Sequence, residues 1–186
     1  MKRHIMFCGV GGTGKSVCAQ AFAETHTLTG SITREAYKEY GIENQKVGDA
    51  LPVAERVKFQ NYLFGFYLSR VRELVSESAK PCVFERSPID HLAYMSLIAP
   101  MKDWHYNMAM ELLLDIEPVL VYFPYPTPWG GQDDGFRNVN AEQDTELNAF
   151  MMAGLNKLGY SYYPLRTFDK DTRILTIKTL LGGSHV

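Results

Sequence analysis

The sequence predicts an α/β fold, a three-layer sandwich in which a parallel sheet of about five strands lies between two layers of helices. Strand and helix patterns alternate along the chain, which is typical of parallel sheets with right-handed crossovers. Two predicted strands, 81–84 and 118–123, are short apolar runs without polar alternation, as expected for strands buried on both faces. A chain of 186 residues is long enough for one well-buried domain. We therefore expect residues 1–186 to form a single domain.

The order of the predicted elements follows from apolar periodicity and from turn residues. In the first half we expect, in order, a strand at 5–8, a helix from Lys15 to about Glu24, a weak strand at 27–32, a short polar helix ending near Gly41, and a long helix from Pro52 to about Ser78. In the second half we expect strands at 81–84 and 118–123 with helical sequence broken at Pro100 between them, a loop at 124–140, a helix at 141–158 stopped by Gly159, a strand at 160–165 and a helix at 172–181.

Residues 9–16 read Gly-Val-Gly-Gly-Thr-Gly-Lys-Ser and match the phosphate-binding pattern G-x-x-x-x-G-K-[ST] in full. The glycines allow consecutive backbone N–H groups to turn toward phosphate oxygens. The amine of Lys15 can reach the β and γ phosphates, and the hydroxyl of Ser16 can bind Mg²⁺. The sequence therefore predicts a nucleoside triphosphate site, with ATP and Mg²⁺ as ligands, formed by Gly9, Gly11, Gly12, Thr13, Gly14, Lys15, Ser16 and Val17.

A second group of candidate residues follows the strand at 81–84. Ligands of parallel sheets bind at the carboxyl ends of the strands, so residues that follow different strands meet at one edge. Glu85 is a candidate ligand of Mg²⁺ or of its waters, and Arg86 is a candidate phosphate contact. The alternative is an ion pair between these two adjacent residues on a solvated loop.

The segment Glu85-Arg86-Ser87 resembles the same strand end in deoxynucleoside kinases of the P-loop superfamily. In that family a helix with a Phe-Gln pair precedes the segment, and Phe59-Gln60, together with Leu68-Ser69-Arg70, is similar to it. The resemblance implies that Gln60 reads the edge of a base and that Arg86 positions the acceptor and the phosphates. A satisfied core amide is the alternative for Gln60.

Other segments resemble the nicotinamide riboside kinase domain and a broad group of small P-loop kinases, many of them viral. Those proteins carry an acidic segment similar to 35–40, an Arg-Ser-x-x-Asp run similar to 86–90, and a Pro-Trp…Asp-Gly-x-Arg loop similar to 128–137. The resemblance implies a fold of the P-loop NTPase kinase type with a short lid at about 124–140. Arg137 is then the candidate lid cation, which neutralises charge as the γ-phosphoryl group moves. An exposed loop arginine is the alternative.

Two carboxylates are candidates for the base that accepts a proton from an acceptor hydroxyl. Glu35 comes just after the weak strand at 27–32, at the carboxyl edge of the sheet, and is the first candidate. Asp90 is the second. The alternative for both is a helix N-terminal carboxylate that interacts with the helix dipole.

Aromatic side chains on the long predicted helix could stack on a flat acceptor ring, namely Phe59, Tyr62, Phe66 and Tyr67. Aromatic residues at helical spacing also suit a core or the contact face of a homodimer. The pattern does not distinguish these interpretations.

Composition restricts the class of protein. A net charge of −2 and a pI near 6.2 do not predict constitutive binding to duplex nucleic acid, although nucleic acid stays open as a substrate. Cys8, Cys18 and Cys82 are widely spaced among apolar residues, as expected for reduced core cysteines. No apolar run approaches the ~18 residues of a membrane span. We therefore expect a soluble, cytoplasmic protein.

Three functions are compatible with these motifs. The first is a kinase that transfers the γ-phosphoryl group of ATP to a hydroxyl of a nucleoside, a nucleotide or a related acceptor. The second is a kinase of the same fold that phosphorylates a modified base in viral DNA, such as 5-hydroxymethyluracil. The third is an NTPase switch without an acceptor, which is disfavoured because no Asp-x-x-Gly segment follows a predicted strand.

Overall fold

The protein is described here by a computed structural model, which covers residues 3–127, 136 and 140–182. Its strands are β1 Ile5–Cys8, β2 Thr27–Leu28, β3 Cys82–Phe84, β4 Val119–Tyr122 and β5 Tyr162–Pro164. They form one parallel sheet in the order β2-β3-β1-β4-β5. Because β1 is central, the residues that follow it lie between those that follow β3 and β4.

The described residues contain eight helices: α1 Lys15–Gln20, α2 Ile32–Tyr40, α3 Gln45–Asp49, α4 Val53–Glu77, α5 Pro88–Ser96, α6 Asp103–Ile116, α7 Ala141–Leu158 and α8 Lys170–Leu180. In this part of the chain, no helix combines the length and the apolar character that a bilayer crossing requires. The long helix α4 packs against α2 as well as against α5 and α6, so two sides of it are covered.

Alternate residues of β1 pack into cores on opposite faces of the sheet. Ile5 and Phe7 lie in the core that contains Cys18 of α1 and Ile177 of α8. Met6 lies in the larger core on the other face, where α4, α5, α6 and α7 contribute buried side chains. A period of two in the strand directs neighbouring side chains to opposite faces. The predicted three-layer α/β sandwich with five parallel strands is confirmed.

Local signals define the ends of the two longest helices. The predicted range of α4 is confirmed to within one residue at each end, and α7 has the bounds that were predicted. The side chain of Asn140 accepts hydrogen bonds from the backbone at the start of α7. Gly159 ends that helix with a left-handed conformation, φ 66°.

Several elements differ from the prediction, among them β5, which covers Tyr162–Pro164 instead of 160–165. Helix α1 ends at Gln20 instead of near Glu24, and α3 occupies sequence that was predicted as a loop. Strand β2 has two residues instead of six. The Ser31 side chain accepts a hydrogen bond from the Arg34 N–H at 3.3 Å and caps α2, so helix begins at Ile32, which was predicted as the last strand residue.

The predicted lid at about 124–140 is only partly covered by the structure. Residues 128–135 and 137–139 lie outside the described residues, and the candidate lid cation Arg137 is among them. The single domain over 1–186 likewise stays a prediction.

Candidate active site

The phosphate loop joins β1 to α1, and its glycines have backbone conformations that other residues rarely adopt. Gly9, Gly12 and Gly14 have φ angles of 149°, 76° and 90°. A Cβ atom on Gly9 would lie 2.6 Å from the carbonyl oxygen of Phe123, the residue after β4. Gly14 directly precedes α1 and is its N-cap. The backbone geometry therefore requires glycine at these motif positions.

The amine of Lys15 lies against the phosphate loop. Its Nζ donates hydrogen bonds to the carbonyl oxygens of Gly9 and Val10, both at 2.7 Å, and to Oγ1 of Thr13 at 3.3 Å. Lys15 is buried and lines the adjoining cavity. These hydrogen bonds therefore hold the positive charge of Lys15 beside the backbone that would surround phosphate groups.

The hydroxyl of Ser16, at the start of α1, donates a hydrogen bond to Oε2 of Glu85 at 2.8 Å. Glu85 is the residue directly after β3. The two residues are far apart in sequence, and the neighbouring positions of β1 and β3 bring them together. Mg²⁺ prefers oxygen ligands, which in nucleotide sites are one or two protein groups, waters and phosphates. A hydroxyl and a carboxylate beside the phosphate loop fit that requirement. The candidate metal ligands Ser16 and Glu85 therefore lie at one place.

A cavity of about 750 Å³ opens beside the phosphate loop, a volume typical of small-molecule sites. Its lining includes, besides the loop, residues 29–34, the end of β3, Phe136 and the start of α8. Among the residues that the structure describes, Glu85 is the acidic residue in the lining. The basic residues in the lining are Lys15, Arg34, Arg86, Lys170 and Arg173. Excess positive charge suits a ligand that carries phosphates.

Arg86 lies in the cavity wall and is held at both its backbone and its side chain. The hydroxyl of Tyr67 donates a hydrogen bond to the Arg86 carbonyl oxygen. Its Nη1 lies 3.6 Å from Asp90 Oδ1, and its Cζ lies 5.4 Å from the centre of the Tyr94 ring. The structure thus pairs Arg86 with Asp90 and Glu85 with Ser16, and the alternative of an ion pair between the two adjacent residues is wrong.

Asp90 does not face the cavity, so its expected role as a proton acceptor needs correction. The carboxylate is fully buried. Its Oδ2 accepts hydrogen bonds from the N–H and hydroxyl of Ser87, at 2.8 and 2.7 Å, and its Oδ1 accepts one from the Gly9 N–H at 3.2 Å. The contacts with Ser87 form a capping box at the start of α5. This arrangement leaves Asp90 a structural link between α5 and the phosphate loop.

Glu35 also lies outside the lining of the cavity. It is exposed in the first turn of α2, and its Oε1 forms an ion pair with Nε of Arg70 on α4 at 3.2 Å. The expectation placed Glu35 at the edge of the sheet because β2 was predicted to reach residue 32. The early start of α2 turns this side chain toward α4 instead. The position does not support a role for Glu35 as the acceptor base.

The aromatic residues of α4 divide between the core and the cavity. Phe59 is buried, and its ring meets that of Tyr37 edge-on with 4.7 Å between centroids, as expected of a core residue. Tyr67 lines the cavity, whereas Gln60 is half-buried outside the lining. The expected stacking of Tyr67 on a ligand ring stays a prediction. A homodimer face and base reading by Gln60 stay predictions.

Arg34 on α2 lines the cavity, and its guanidinium carbon lies 4.7 Å from the centre of the Phe136 ring. Sequence reasoning missed three lining residues that follow the last strand. Phe168, Lys170 and Arg173 belong to the segment that begins α8. They belong to no motif. The predicted position of the last strand was the available signal, because it places the next residues at the ligand-binding edge of the sheet.

Together, the central β1, the glycine loop with its buried lysine and the paired Ser16 and Glu85 define a nucleotide-binding protein of the P-loop class. The match of a family model confirms this class. The model of the AAA domain family matches residues 4–173, and the chain belongs to that family. No curated protein matches the sequence.

Two solved structures show the same fold at low sequence identity. Deoxyadenosine kinase from M. mycoides, determined with the products dCMP and dCDP, has a TM-score of 0.64 and 14% identity, over 97% of this chain and 100% of the kinase chain. NadR in complex with NR has a TM-score of 0.71 and 17% identity, over 100% of this chain. This chain spans 53% of the NadR chain, about half its length. The predicted resemblance to P-loop nucleoside kinases is confirmed at the level of fold.

Proposed function

We propose that this protein is an ATP-dependent kinase that transfers the γ-phosphoryl group to a hydroxyl of a nucleoside, a nucleotide or a related acceptor. One observation carries the proposal. The cavity beside the phosphate loop is also lined by Arg86, residues 29–34, Tyr67 and Phe136, so a second ligand has room next to the nucleotide. The fold shared with deoxyadenosine kinase supports the same class of reaction.

The donor site consists of the glycine loop, Lys15 and the hydroxyl of Ser16. Backbone N–H groups and the Lys15 ammonium would contact the phosphates of ATP, and Ser16 and Glu85 are the residues that would hold Mg²⁺. Mg²⁺, when bound, neutralises phosphate charge. The three free cysteines are buried, which supports a reducing cytoplasm as the compartment.

In the reaction, the acceptor hydroxyl oxygen forms a bond to the γ-phosphorus, and the bond between that phosphorus and the β,γ-bridging oxygen breaks. ADP leaves with the electron pair, and the hydroxyl proton passes to solvent. Lys15 and Arg86 stabilise the charge that moves in the transition state, and Arg137 adds a lid cation from outside the described residues. Phosphoryl transfer has a loose transition state in most analyses, so positioning and charge contribute more than a base.

The test is transfer of radiolabel from γ-labelled ATP to a panel of acceptors. The panel holds nucleosides, nucleotides and oligonucleotides that contain 5-hydroxymethyluracil. We expect label on a small acceptor and a loss of about 10²–10³-fold in Lys15→Ala. The matched control is Lys178→Ala on α8, which removes a lysine outside the lining of the cavity.

Each other result identifies a different function. Label on the oligonucleotide alone would indicate a kinase of modified DNA. Release of phosphate at an equal rate with and without every acceptor would indicate an NTPase switch. Label transfer by Lys15→Ala at the wild-type rate would contradict the assignment of the phosphate loop.

A further inference from the structure

Arg173 connects helix α8 to the phosphate loop. The residue lies one turn inside α8 and is 1% exposed. Its Nη1 donates a hydrogen bond to the carbonyl oxygen of Thr13 at 2.7 Å, and its Nε donates one to the carbonyl oxygen of Thr167 at 2.6 Å. The guanidinium carbon lies 5.2 and 5.3 Å from the ring centres of Phe123 and Phe168, within cation–π distance. One buried side chain therefore contacts the loop and the segment before α8.

The hydrogen bond to the Thr13 carbonyl also relates Arg173 to the direction of the Gly14 N–H. In a trans peptide unit the C=O and the following N–H lie in one plane and point in opposite directions. The carbonyl of Thr13 points toward Arg173, so the N–H of Gly14 points away from it. Gly14 lines the cavity, and an N–H at this position of the motif is one of those that surround phosphates.

The other contacts of Thr13 leave its carbonyl to Arg173. The Thr13 hydroxyl donates to the carbonyl oxygen of Val10 at 2.8 Å, and the amine of Lys15 contacts the same hydroxyl. These contacts hold the side chain. They do not set the rotation of the peptide unit between Thr13 and Gly14. Gly14 has a φ of 90°, but without a side chain it could adopt a negative φ at little cost.

We infer that Arg173 is a positioning residue of the nucleotide site, which holds the peptide between Thr13 and Gly14 with its N–H directed at the phosphates. The inference rests on the proposed function only in taking a polyphosphate as the ligand. The planar guanidinium suits this role because its donors have fixed directions and reach two carbonyl groups of different segments at once. A lysine amine lacks that fixed geometry.

Binding of inorganic tripolyphosphate with Mg²⁺, measured by calorimetry well below the unfolding temperature, tests the inference without an acceptor or a base. The variants are Arg173→Met and Arg173→Lys. The matched control is Arg166→Met, which removes an exposed arginine of the same segment. We expect Arg173→Met to bind at least tenfold more weakly than wild type, Arg173→Lys at least threefold more weakly, and Arg166→Met within twofold. Arg173→Lys keeps a buried cation and decides the test if Arg173→Met does not fold.

The amide signal of Gly14 in ¹H–¹⁵N spectra of ligand-free protein separates positioning from other roles. We expect Arg173 variants to shift this signal and Arg166→Met to leave it in place. A folded Arg173 variant that binds tripolyphosphate within twofold of wild type would overturn the inference. So would weaker binding with an unmoved Gly14 signal, which would indicate a direct contact between Arg173 and phosphate. Tripolyphosphate binding without phosphoryl transfer to any acceptor would contradict the proposed kinase and leave this inference standing.

Discussion

Asp90 accepts a hydrogen bond from the backbone N–H of Gly9 at 3.2 Å, so the first glycine of the phosphate loop is tied to a buried carboxylate 81 residues further along the chain. The same carboxylate caps α5 through Ser87. The phosphate loop and the start of α5 therefore form one hydrogen-bonded unit. A residue that was expected to act on the acceptor instead supports the donor site.

Asp90→Asn should lower the free energy of unfolding by about 1–3 kcal/mol, because an amide NH₂ replaces one of the two oxygens that accept buried hydrogen bonds. Urea denaturation measures the change. Asp115→Asn, at an exposed ion pair with Arg72, is the control and should cost less than about 1 kcal/mol. Unchanged stability together with a large loss of kcat would restore Asp90 as a catalytic base.

Glu85→Gln should weaken the binding of Mg²⁺, and so raise the Mg²⁺ concentration that the reaction needs, while it preserves the fold. The amide oxygen can still accept the hydrogen bond from Ser16, but it is a poorer ligand for a hard cation, and we expect ~10–100-fold more Mg²⁺ for half-maximal rate. Titration of Mg²⁺ at saturating ATP measures this. Glu111→Gln, an exposed change on α6, should behave as wild type. An unchanged Mg²⁺ titration for Glu85→Gln would remove it from the metal site.

Glu35→Gln should leave kcat within roughly threefold of wild type, since an exposed ion pair contributes little. Initial rates at saturating ATP and acceptor measure this, with Glu73→Gln, the other partner of Arg70, as the control. A loss of 10² or more in Glu35→Gln alone would show that Glu35 reaches the acceptor as a base.

The protein should lose stability as pH falls, in part through His91. Burial, with a smaller contribution from the nearby Arg86 charge, lowers the pKa of His91 from 6.5 to about 3. Between these two values the unfolded chain binds a proton that the folded protein does not, so this residue alone lowers the free energy of unfolding by up to about 1.4 kcal/mol for each pH unit of acidification.

His91→Phe keeps a ring against Tyr67, which lies 4.5 Å from the imidazole between centroids, and removes the titration. Free energies of unfolding from urea titrations at pH 4, 5, 6 and 7.5 should therefore fall less steeply with acid in His91→Phe than in wild type. Tyr94→Phe, on the same helix, should keep the wild-type slope. Identical slopes for His91→Phe and wild type would mean that His91 titrates normally in the folded protein.

Much of the fold was predictable because its signals are local. The apolar stripes of α4 and α7, the stop at Gly159 and the unbroken apolar runs of β3 and β4 each depend on residues close in sequence. The end of β2 was not predictable from propensity. One hydrogen bond from the Arg34 N–H to Ser31 begins α2 early. The free energies of a capped helix start and of a continued strand differ little, so propensity does not predict which one forms.

By itself, the sequence determined the class of the fold and the phosphate-binding loop, because glycine conformations and a short spaced motif act within a few residues. Only the tertiary structure decided which distant side chains serve that loop. The sequence had named Glu85 and Ser16 as ligands of one metal, and the structure brings them together; it also directed Asp90 to Gly9 rather than to an acceptor and turned Glu35 away from the cavity. The physical reason is that these contacts depend on strand order and on where α2 and α5 begin, and no spacing along the chain specifies either.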